Sequence, residues 1–304
     1  MNIVRIAIPL ALLAGGVLAS FGRQDLAANF DSAREIWSDV LRDADQIGLQ
    51  ATRMPLNEEV ALGARLASGL ASWRSEDARD AAYVSAVGAE LTPHVRRTRM
   101  PYQFHVVESA DVNAFALPGG QIYVLRGMLS FLTSEAELAA ILGHEIAHVD
   151  LQHCVERYQY QQALNKAGVG ELSLPLDLAR MLVVIGYSQF QELEADDEGA
   201  RLAVQAGYDP AAAEAVFARL ESRWGGVSRP QATTPGGEIG QAMEQALSDY
   251  FSTHPRTAER TKRMHSFAER SKSYAGRVFY VGKQNYASGI PRSQSTPEGE
   301  WKRY

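Results

Sequence analysis

One helical segment in the middle of the chain constrains the fold most, because it is apolar on nearly every side. It runs "AAILGHEIAHV", and a helix of this kind is buried in the core of its protein. It nevertheless carries His144, Glu145 and His148, and burying polar groups together is costly unless they have a partner. The alternative, an ordinary solvated helix face, fits the surrounding apolar residues poorly: Ala140, Ile141, Leu142, Ile146, Ala147 and Val149.

The spacing of the two histidines suits a metal ion. His144 and His148 are four residues apart, so they lie about one turn apart on one helix face, and two neutral imidazoles there can chelate one zinc ion. Glu145 lies about 100° around the helix from His144, close enough to take a proton from water activated by the metal. A catalytic zinc ordinarily has three protein ligands and an open position. A third ligand must therefore come from elsewhere.

A second segment, "QELEADDEG", offers carboxylates for that third ligand. Glu192 and Asp196 are four residues apart and share a helix face, while Ala195 and Gly199 would let this helix pack closely. One carboxylate could bind the metal while the other accepts a hydrogen bond from a ligating histidine. Spacing alone leaves open which does which, and whether the cluster is only a solvated acidic face. The single cysteine excludes a thiol-rich zinc site and an intrachain disulfide.

Four stretches occur in order between roughly residues 55 and 270: "VNAFALPGGQIYVLRGML", "SEAELAAILGHEIAHV", "QELEADDEGARLAVQAGYDP" and "STHPRTAER". Together they resemble the HtpX-type zinc metallopeptidases, a family of HExxH gluzincin-type peptidases that includes the CAAX-prenyl proteases and the bacterial proteases BepA and LoiP. The resemblance implies one zinc ion per chain, bound by His144, His148 and Glu192. It further implies that Glu145 is the general base and that Asp196 orients a ligating histidine.

The resemblance also implies roles outside the two metal-binding segments. "NAFALPGG" would form an edge strand beside the cleft, with Asn113 and Ala114 facing the backbone of a peptide substrate that adds as an extra strand. The residues alone are equally compatible with an ordinary hairpin strand. His254, held extended before Pro255, either reaches the zinc as a switch that blocks its open position or simply starts a helix. Arg260 either stabilises the oxyanion of the transition state or pairs with an acid.

The pattern along the chain predicts a mainly helical α+β fold with a small β-sheet. Helical and strand periods alternate: helix over 57–70 and 76–91, strand around Phe104, then strand, tight turn and strand around Pro118. One helix is predicted to run from Ser134 to about Gln161, which would put His153 opposite His144 and away from the metal. Together with the resemblance, this indicates a zincin-like metalloprotease domain whose sheet has an edge strand beside the active-site helix.

The two ends of the chain differ in composition from its middle. Residues 1–22 contain one arginine followed by an apolar run, which is typical of an export signal that is either removed or retained as a membrane anchor. We expect residues 31–275 to form the zinc metallopeptidase domain. The polar tail 283–304, with its Pro and Ser residues, is predicted to be disordered. The protein is therefore expected to work outside the cytoplasm, in the periplasm.

Charge and motifs together narrow the function. Lys plus Arg total 30 against 36 for Asp plus Glu, a net charge of −6, which with no long basic run excludes nucleic acid as a partner. The sequence predicts a zinc-dependent endopeptidase that hydrolyses misfolded or membrane-associated polypeptides and is held latent by His254, with association to membrane or outer-membrane proteins. The competing hypothesis is a chaperone-like module that binds extended segments at the edge strand with weak or absent cleavage.

Overall fold

The computed structural model describes residues 54–166, 187–224, 254, 258–270, 274 and 276–304. The predicted export segment 1–22 lies outside these residues. So do residues 31–48, where the spacing of apolar residues predicts a helix, and the whole Gly-rich stretch 225–240. All described residues belong to one unit, Ala51–Tyr304. Among them, no helix is both long enough and apolar enough to span a bilayer.

Helices make up most of the described chain, and the mainly helical α+β prediction is confirmed. The helices are α1 (Leu56–Gly69), α2 (Ala78–Leu91), α3 (Arg126–Phe131), α4 (Glu135–Asp150), α5 (His153–Lys166), α6 (Gln189–Gln205), α7 (Ala211–Trp224), α8 (Ala258–Arg270) and α9 (Lys283–Ser288). The strands are β1 (Gln103–Val107), β2 (Ala114–Leu117), β3 (Gln121–Leu125), β4 (Val278–Tyr280) and β5 (Trp301–Arg303). Short 3₁₀ turns cover Ala71–Trp73, Thr92–His94 and Pro118–Gly120.

The three-stranded sheet places β2 at an edge. The strand order is β1-β3-β2: β1 runs parallel to β3, and β2 pairs antiparallel with β3, with Ala114 opposite Val124 and Leu117 opposite Gln121. The turn between β2 and β3 requires glycine, since Gly119 has φ 77° and an added Cβ would lie 2.8 Å from the Glu59 carbonyl oxygen. The predicted strand, turn, strand arrangement is thus present.

Helix α4 is the centre of the core, with every residue from Glu135 to Asp150 buried. Ser134 caps its first turn by accepting a hydrogen bond from the Glu137 backbone N–H. Helix α6 packs against it at very short range: a Cβ on Gly143 would lie 2.6 Å from the Gly199 carbonyl oxygen, and a Cβ on Gly199 would lie 2.6 Å from the His144 nitrogen. The two glycines therefore allow side chains from both helices to meet.

The predicted single helix from Ser134 to Gln161 is wrong, because the chain breaks between α4 and α5. Gln152 has φ 69°, a left-handed conformation that ends the helix. Long-range contacts stabilise the break: the Asp150 carboxylate accepts the backbone N–H groups of Arg96 and Arg97 at 3.0 and 2.7 Å. The Arg97 guanidinium also donates to the Val149 carbonyl oxygen at 2.8 Å, so a terminal carbonyl keeps a partner.

The tail from 283 to 304 departs from the predicted disorder. It contains α9, and its last strand, β5, pairs antiparallel with β4. The Arg292 backbone N–H donates to both carboxylate oxygens of buried Glu135 at 3.2 Å, and its guanidinium lies 4.2 Å from the ring centre of Tyr208. Composition misses this order, since backbone hydrogen bonds and cation–π contacts attach a polar segment without a core of its own.

Candidate metal centre

Helix α4 presents the two predicted histidine ligands and the glutamate between them. The Nε2 atoms of His144 and His148 lie 3.0 Å apart, as the one-turn spacing requires. The neighbouring Glu145 side chain lies toward the same centre, with its Oε1 3.3 Å from the His254 Nε2. Each of these side chains is fully buried or 2% exposed. The sequence-predicted group on α4 is therefore one cluster inside the protein.

Helix α6 and residue 254 complete the cluster. Glu192 places Oε1 3.5 Å from the His148 Nε2 and Oε2 3.6 Å from the His144 Nε2. His254 places Nδ1 3.2 Å from the His144 Nε2 and 3.0 Å from the Glu192 Oε1. One ligand atom from each of the four residues lies within 4.8 Å of the other three. The structure thus brings His254 beside the three sequence-predicted ligands.

The donor set suits a divalent metal ion. Three imidazoles and one carboxylate each place a ligand atom within 4.8 Å of the other three, and both are groups that bind such ions in proteins. The His144 Nδ1 lies 3.0 Å from the Asp196 Oδ1, an arrangement in which a carboxylate orients the ring of a ligating histidine, with Nε2 toward the cluster. A divalent cation stabilises lone pairs and a carboxylate that converge in this way.

Arg260 binds both acids of α6. Its Nε and Nη2 donate to the two Asp196 oxygens at 2.7 and 2.8 Å, and its Nη1 lies 2.6 Å from the Glu192 Oε2. The same Nη1 donates to the His254 carbonyl oxygen at 3.2 Å. Arg260 was considered either as a group that stabilises the oxyanion or as the partner of an acid, and these contacts favour the second role. It fixes Asp196, Glu192 and the backbone of His254 relative to one another.

The surroundings set the charge state of the ligands. Burial alone would raise the pKa of Glu192, but Arg260 and His254 outweigh burial and hold it well below its usual range. Burial, reinforced by His144, lowers the pKa of His148 well below 6.5, which keeps its ring neutral. For His144, burial opposes protonation, but Asp196 and Glu192 outweigh it and raise the pKa to about 9. The centre thus offers an ionised carboxylate and at least one neutral imidazole.

Glu145 has the environment of a base rather than of a ligand. Burial raises the pKa of its carboxyl group, and the nearby His254 and His144 counter that effect only in part. A general base works best when its pKa lies near the operating pH, so a raised pKa suits this role. Its side chain is not one of the four donors that converge.

Asn113 and Ala114 lie at the start of the edge strand. The backbone of Asn113 pairs with β3, since the Leu125 N–H donates to the Asn113 carbonyl oxygen at 3.0 Å. In an antiparallel pair the next residue points its N–H and C=O the other way, so Ala114 and Ala116 direct theirs to the free edge. There the Asn113 Oδ1 accepts the Ala114 N–H at 2.8 Å, and both residues are buried.

Three residues that sequence reasoning did not select lie around the centre. His153 is not one of the four converging donors, but its predicted position opposite His144 is wrong, because the break at Gln152 turns its Nδ1 to 3.1 Å from the His148 Nδ1. The Tyr187 ring stacks on the His148 ring, with centroids 3.6 Å apart and planes at 12°. Arg157 lies against Tyr187, 4.1 Å from its ring centroid. Of the three, only Arg157 could have been found from the sequence, because it lies four residues, about one helical turn, after His153 on α5.

Comparison with known proteins identifies the family. The profile described as "Peptidase family M48" matches residues 78–268, a stretch that holds β1 to β3, α4, α6 and all four converging side chains. The chain belongs to peptidase family M48. The predicted family resemblance and the metalloendopeptidase class are therefore confirmed.

Individual relatives agree with this assignment. The chain is 29% identical over 189 residues to "Mitochondrial metalloendopeptidase OMA1" of Schizosaccharomyces pombe, a match that covers 60% of this chain and 51% of that protein. It is 32% identical over 162 residues to the Arabidopsis thaliana protein of the same name, covering 52% and 30%. It is 29% identical over 166 residues to "Beta-barrel assembly-enhancing protease" of Yersinia pestis, covering 49% and 34%. The chain thus spans about half or less of these relatives.

Proposed function

We propose that this protein is a zinc-dependent endopeptidase. The observation that carries the proposal is the convergence of the His144, His148 and Glu192 donors in a buried cluster, with Glu145 beside it at a raised pKa. This donor set, two imidazoles and one carboxylate, is that of zinc peptidases. Membership of family M48 supports the same conclusion.

The residues of the chain divide the work of peptide hydrolysis. A zinc ion bound here would supply a Lewis acid that polarises the substrate carbonyl and acidifies water. Glu145 takes a proton from the attacking water at a carboxylate oxygen and returns it to the leaving amine. Asp196 holds the Nδ1–H of His144 so that Nε2 stays directed to the centre.

The substrate, we propose, adds to the free edge of β2 as an extra antiparallel strand. Ala114 and Ala116 direct backbone groups to that edge, and main-chain hydrogen bonds there would hold any extended polypeptide. In the structure the Asn113 Oδ1 accepts the Ala114 N–H at 2.8 Å, and a substrate carbonyl oxygen would replace it as the acceptor. Such backbone recognition suits unfolded or misfolded proteins, since folded ones have few free strands.

His254 keeps the enzyme latent. Its Nδ1 belongs to the converging donor set, and its Nε2 lies 3.3 Å from the Glu145 Oε1. One side chain thereby takes the fourth donor position, which a catalytic zinc keeps open, and also contacts the base. We expect activity to rise when His254 leaves this position.

We place the enzyme outside the cytoplasm, in the periplasm, where it acts on misfolded or membrane-associated proteins. The export-signal pattern of residues 1–22 supports this location. The similarity to proteins named beta-barrel assembly-enhancing protease supports an association with β-barrel proteins. Fractionation of cells that produce the full chain tests the location, and recovery in the cytoplasm would contradict it.

The alternative is a chaperone-like module that binds extended segments and cleaves them weakly or not at all. The observation in its favour is that His254 occupies the cluster and contacts Glu145. Both functions use the edge strand, so binding alone does not separate them. Cleavage measurements do.

Casein cleavage by the zinc-loaded chain tests the proposal. We expect slow cleavage by the wild type, a loss of about 100-fold or more in Glu145→Gln, and a gain of about tenfold in His254→Ala because the closed state is removed. Glu214→Gln and His265→Ala change the same residue types at an exposed pair and should match the wild type. Casein binding with no cleavage by any of these proteins would instead establish the chaperone-like module.

A further inference from the structure

Arg157 on α5 is a buried cation that the metal chemistry does not use. Its side chain is 5% exposed, and its Nη2 donates to the Ala116 carbonyl oxygen at 3.0 Å. Its Nε has no hydrogen-bond partner among the described residues. None of the described aspartates and glutamates lies within ion-pair distance of it. A buried guanidinium in this state lacks the anion that normally offsets its loss of water.

The other buried arginine near the centre differs. Arg260 is 3% exposed and contacts the carboxylates of both Asp196 and Glu192. At Arg157 the corresponding anion is missing from the described part of the chain, although the guanidinium has five N–H donors in a planar fork that suits a carboxylate. The group that would complete the surroundings of Arg157 is therefore a carboxylate.

The position of Arg157 links it to the substrate. The Ala116 carbonyl that it contacts lies on the free edge of β2, where we have proposed that a substrate strand adds. Tyr187 lies between Arg157 and the metal ligand His148: the guanidinium carbon is 4.1 Å and the His148 ring centre 3.6 Å from the Tyr187 ring centre. Two groups this close to one ring cannot share a face, so they lie on opposite faces.

We infer that Arg157 binds a carboxylate of the polypeptide that occupies β2, and so sets a preference for acidic substrates. The substrate N–H replaces Arg157 at the Ala116 carbonyl oxygen, and the released guanidinium turns to the carboxylate. The group is either an Asp or Glu side chain or the free C-terminal carboxylate. This inference rests on the proposed peptidase function, whose substrate class it specifies.

Matched peptides test the preference. Fluorogenic peptides are made identical except for one residue, Glu or Gln, placed at each position in turn, and each has a free or an amidated C-terminus. With the zinc-loaded full chain, we expect one placement of the carboxylate to raise kcat/KM about tenfold over its neutral counterpart, the effect of a hydrogen bond to a charged group. A preference at an internal Glu identifies a side-chain carboxylate, and a preference for the free terminus identifies the terminal one.

Substitution of Arg157 then tests the cause. The ratio of acidic to neutral kcat/KM should fall to about one in Arg157→Gln, to an intermediate value in Arg157→Lys, and stay at about ten in Arg263→Gln, whose exposed pair with Asp197 lies elsewhere. Because Arg157 lacks an anionic partner among the described residues, Arg157→Gln should melt at or above the wild-type temperature. A wild-type ratio near one at every placement, or a ratio of ten that persists in Arg157→Gln, would overturn the inference.

Peptide binding separates this inference from the proposed function. The same peptides, labelled at the N-terminus, are titrated with zinc-loaded Glu145→Gln and with Glu145→Gln/Arg157→Gln, and fluorescence anisotropy gives Kd. Cleavage of acidic and neutral peptides at equal rates would contradict the carboxylate site but would still support the peptidase function. If binding of the acidic peptide depends on Arg157 but the wild type cleaves no peptide, the carboxylate site is supported and the peptidase function is contradicted.

Discussion

At the scale of single residues, Arg260 carries the charge balance of the centre. Its guanidinium contacts Asp196 and Glu192, both fully buried or nearly so. These carboxylates keep a negative charge inside the protein only because a cation and the histidines compensate for the lost water. Arg260 is therefore a structural requirement for the ligand set, and its effect on activity follows from that.

We expect Arg260→Met to destabilise the metal-free protein by about 3–5 kcal/mol, because it leaves two buried carboxylates without their cation. Arg263→Met is the matched control on the same helix: it removes an exposed pair with Asp197 and should cost less than about 1 kcal/mol. Urea unfolding in the presence of EDTA measures both. Equal losses in the two variants would contradict the role given to Arg260.

A second residue contacts one of the proposed metal ligands. His153 lies with Nδ1 3.1 Å from the His148 Nδ1 and with Nε2 3.4 Å from the Glu194 carboxylate. A partner at the far nitrogen of a ligating histidine fixes the ring orientation. His153→Ala should therefore weaken zinc binding about 10- to 100-fold. Competition with a chromophoric chelator measures the affinity, with His265→Ala as control, and wild-type affinity in His153→Ala would rule the role out.

At the scale of elements, the site depends on how closely α4 and α6 approach. Gly143 and Gly199 face each other, and neither position has room for a Cβ. The helices bring His144 and His148 from one side and Glu192 and Asp196 from the other. The distance between the helix axes therefore decides whether His144, His148 and Glu192 can share one ion.

Gly199→Ala tests this approach. The added Cβ would lie 2.6 Å from the His144 backbone nitrogen, so the helices must separate. We expect a loss of about 1–3 kcal/mol in stability from overpacking, together with weaker zinc binding. Gln205→Ala, at the exposed end of α6, serves as control. Wild-type stability and zinc affinity in Gly199→Ala, from thermal melts and chelator competition, would mean that the packing does not set the ligand geometry.

The sequence was most informative where the chemistry is local. His144, Glu145 and His148 follow from spacing within one helix, and family resemblance assigned Glu192 and Asp196, which spacing left open. His153 could not be placed, since the break at Gln152 depends on Arg96 and Arg97, more than fifty residues away in the chain. The order of the tail, residues 283–304, could not be predicted for the same reason, because it depends on a hydrogen bond from the Arg292 N–H to the distant, buried Glu135. Contacts distant in sequence leave no periodic pattern.

At the scale of the whole molecule, the centre is closed. The donors and Glu145 are buried, and they come from α4, α6 and His254. A zinc ion bound to them would join segments about a hundred residues apart in the chain. Metal binding should therefore stabilise the fold as a whole, and activity should require a change of conformation that opens the centre.

Removing the metal tests this coupling. Zinc at about a thousand times its Kd stabilises the folded state by about 4 kcal/mol, which corresponds to a melting temperature roughly 10 °C higher for a domain of this size. We expect EDTA to reverse that gain in the wild type and to have no effect on His144→Ala/His148→Ala. Calorimetry measures both. An identical EDTA response in the two proteins would show that the stabilising ion binds elsewhere.

The most direct test of the central claim, that these donors share one zinc ion, is the zinc content of the protein. It is measured by mass spectrometry on the full chain, purified without chelators. We predict one zinc per chain in the wild type and less than about 0.1 in His144→Ala/His148→Ala, since only one imidazole then remains among the donors. A wild type without stoichiometric zinc, or a double variant that retains it, would contradict the account.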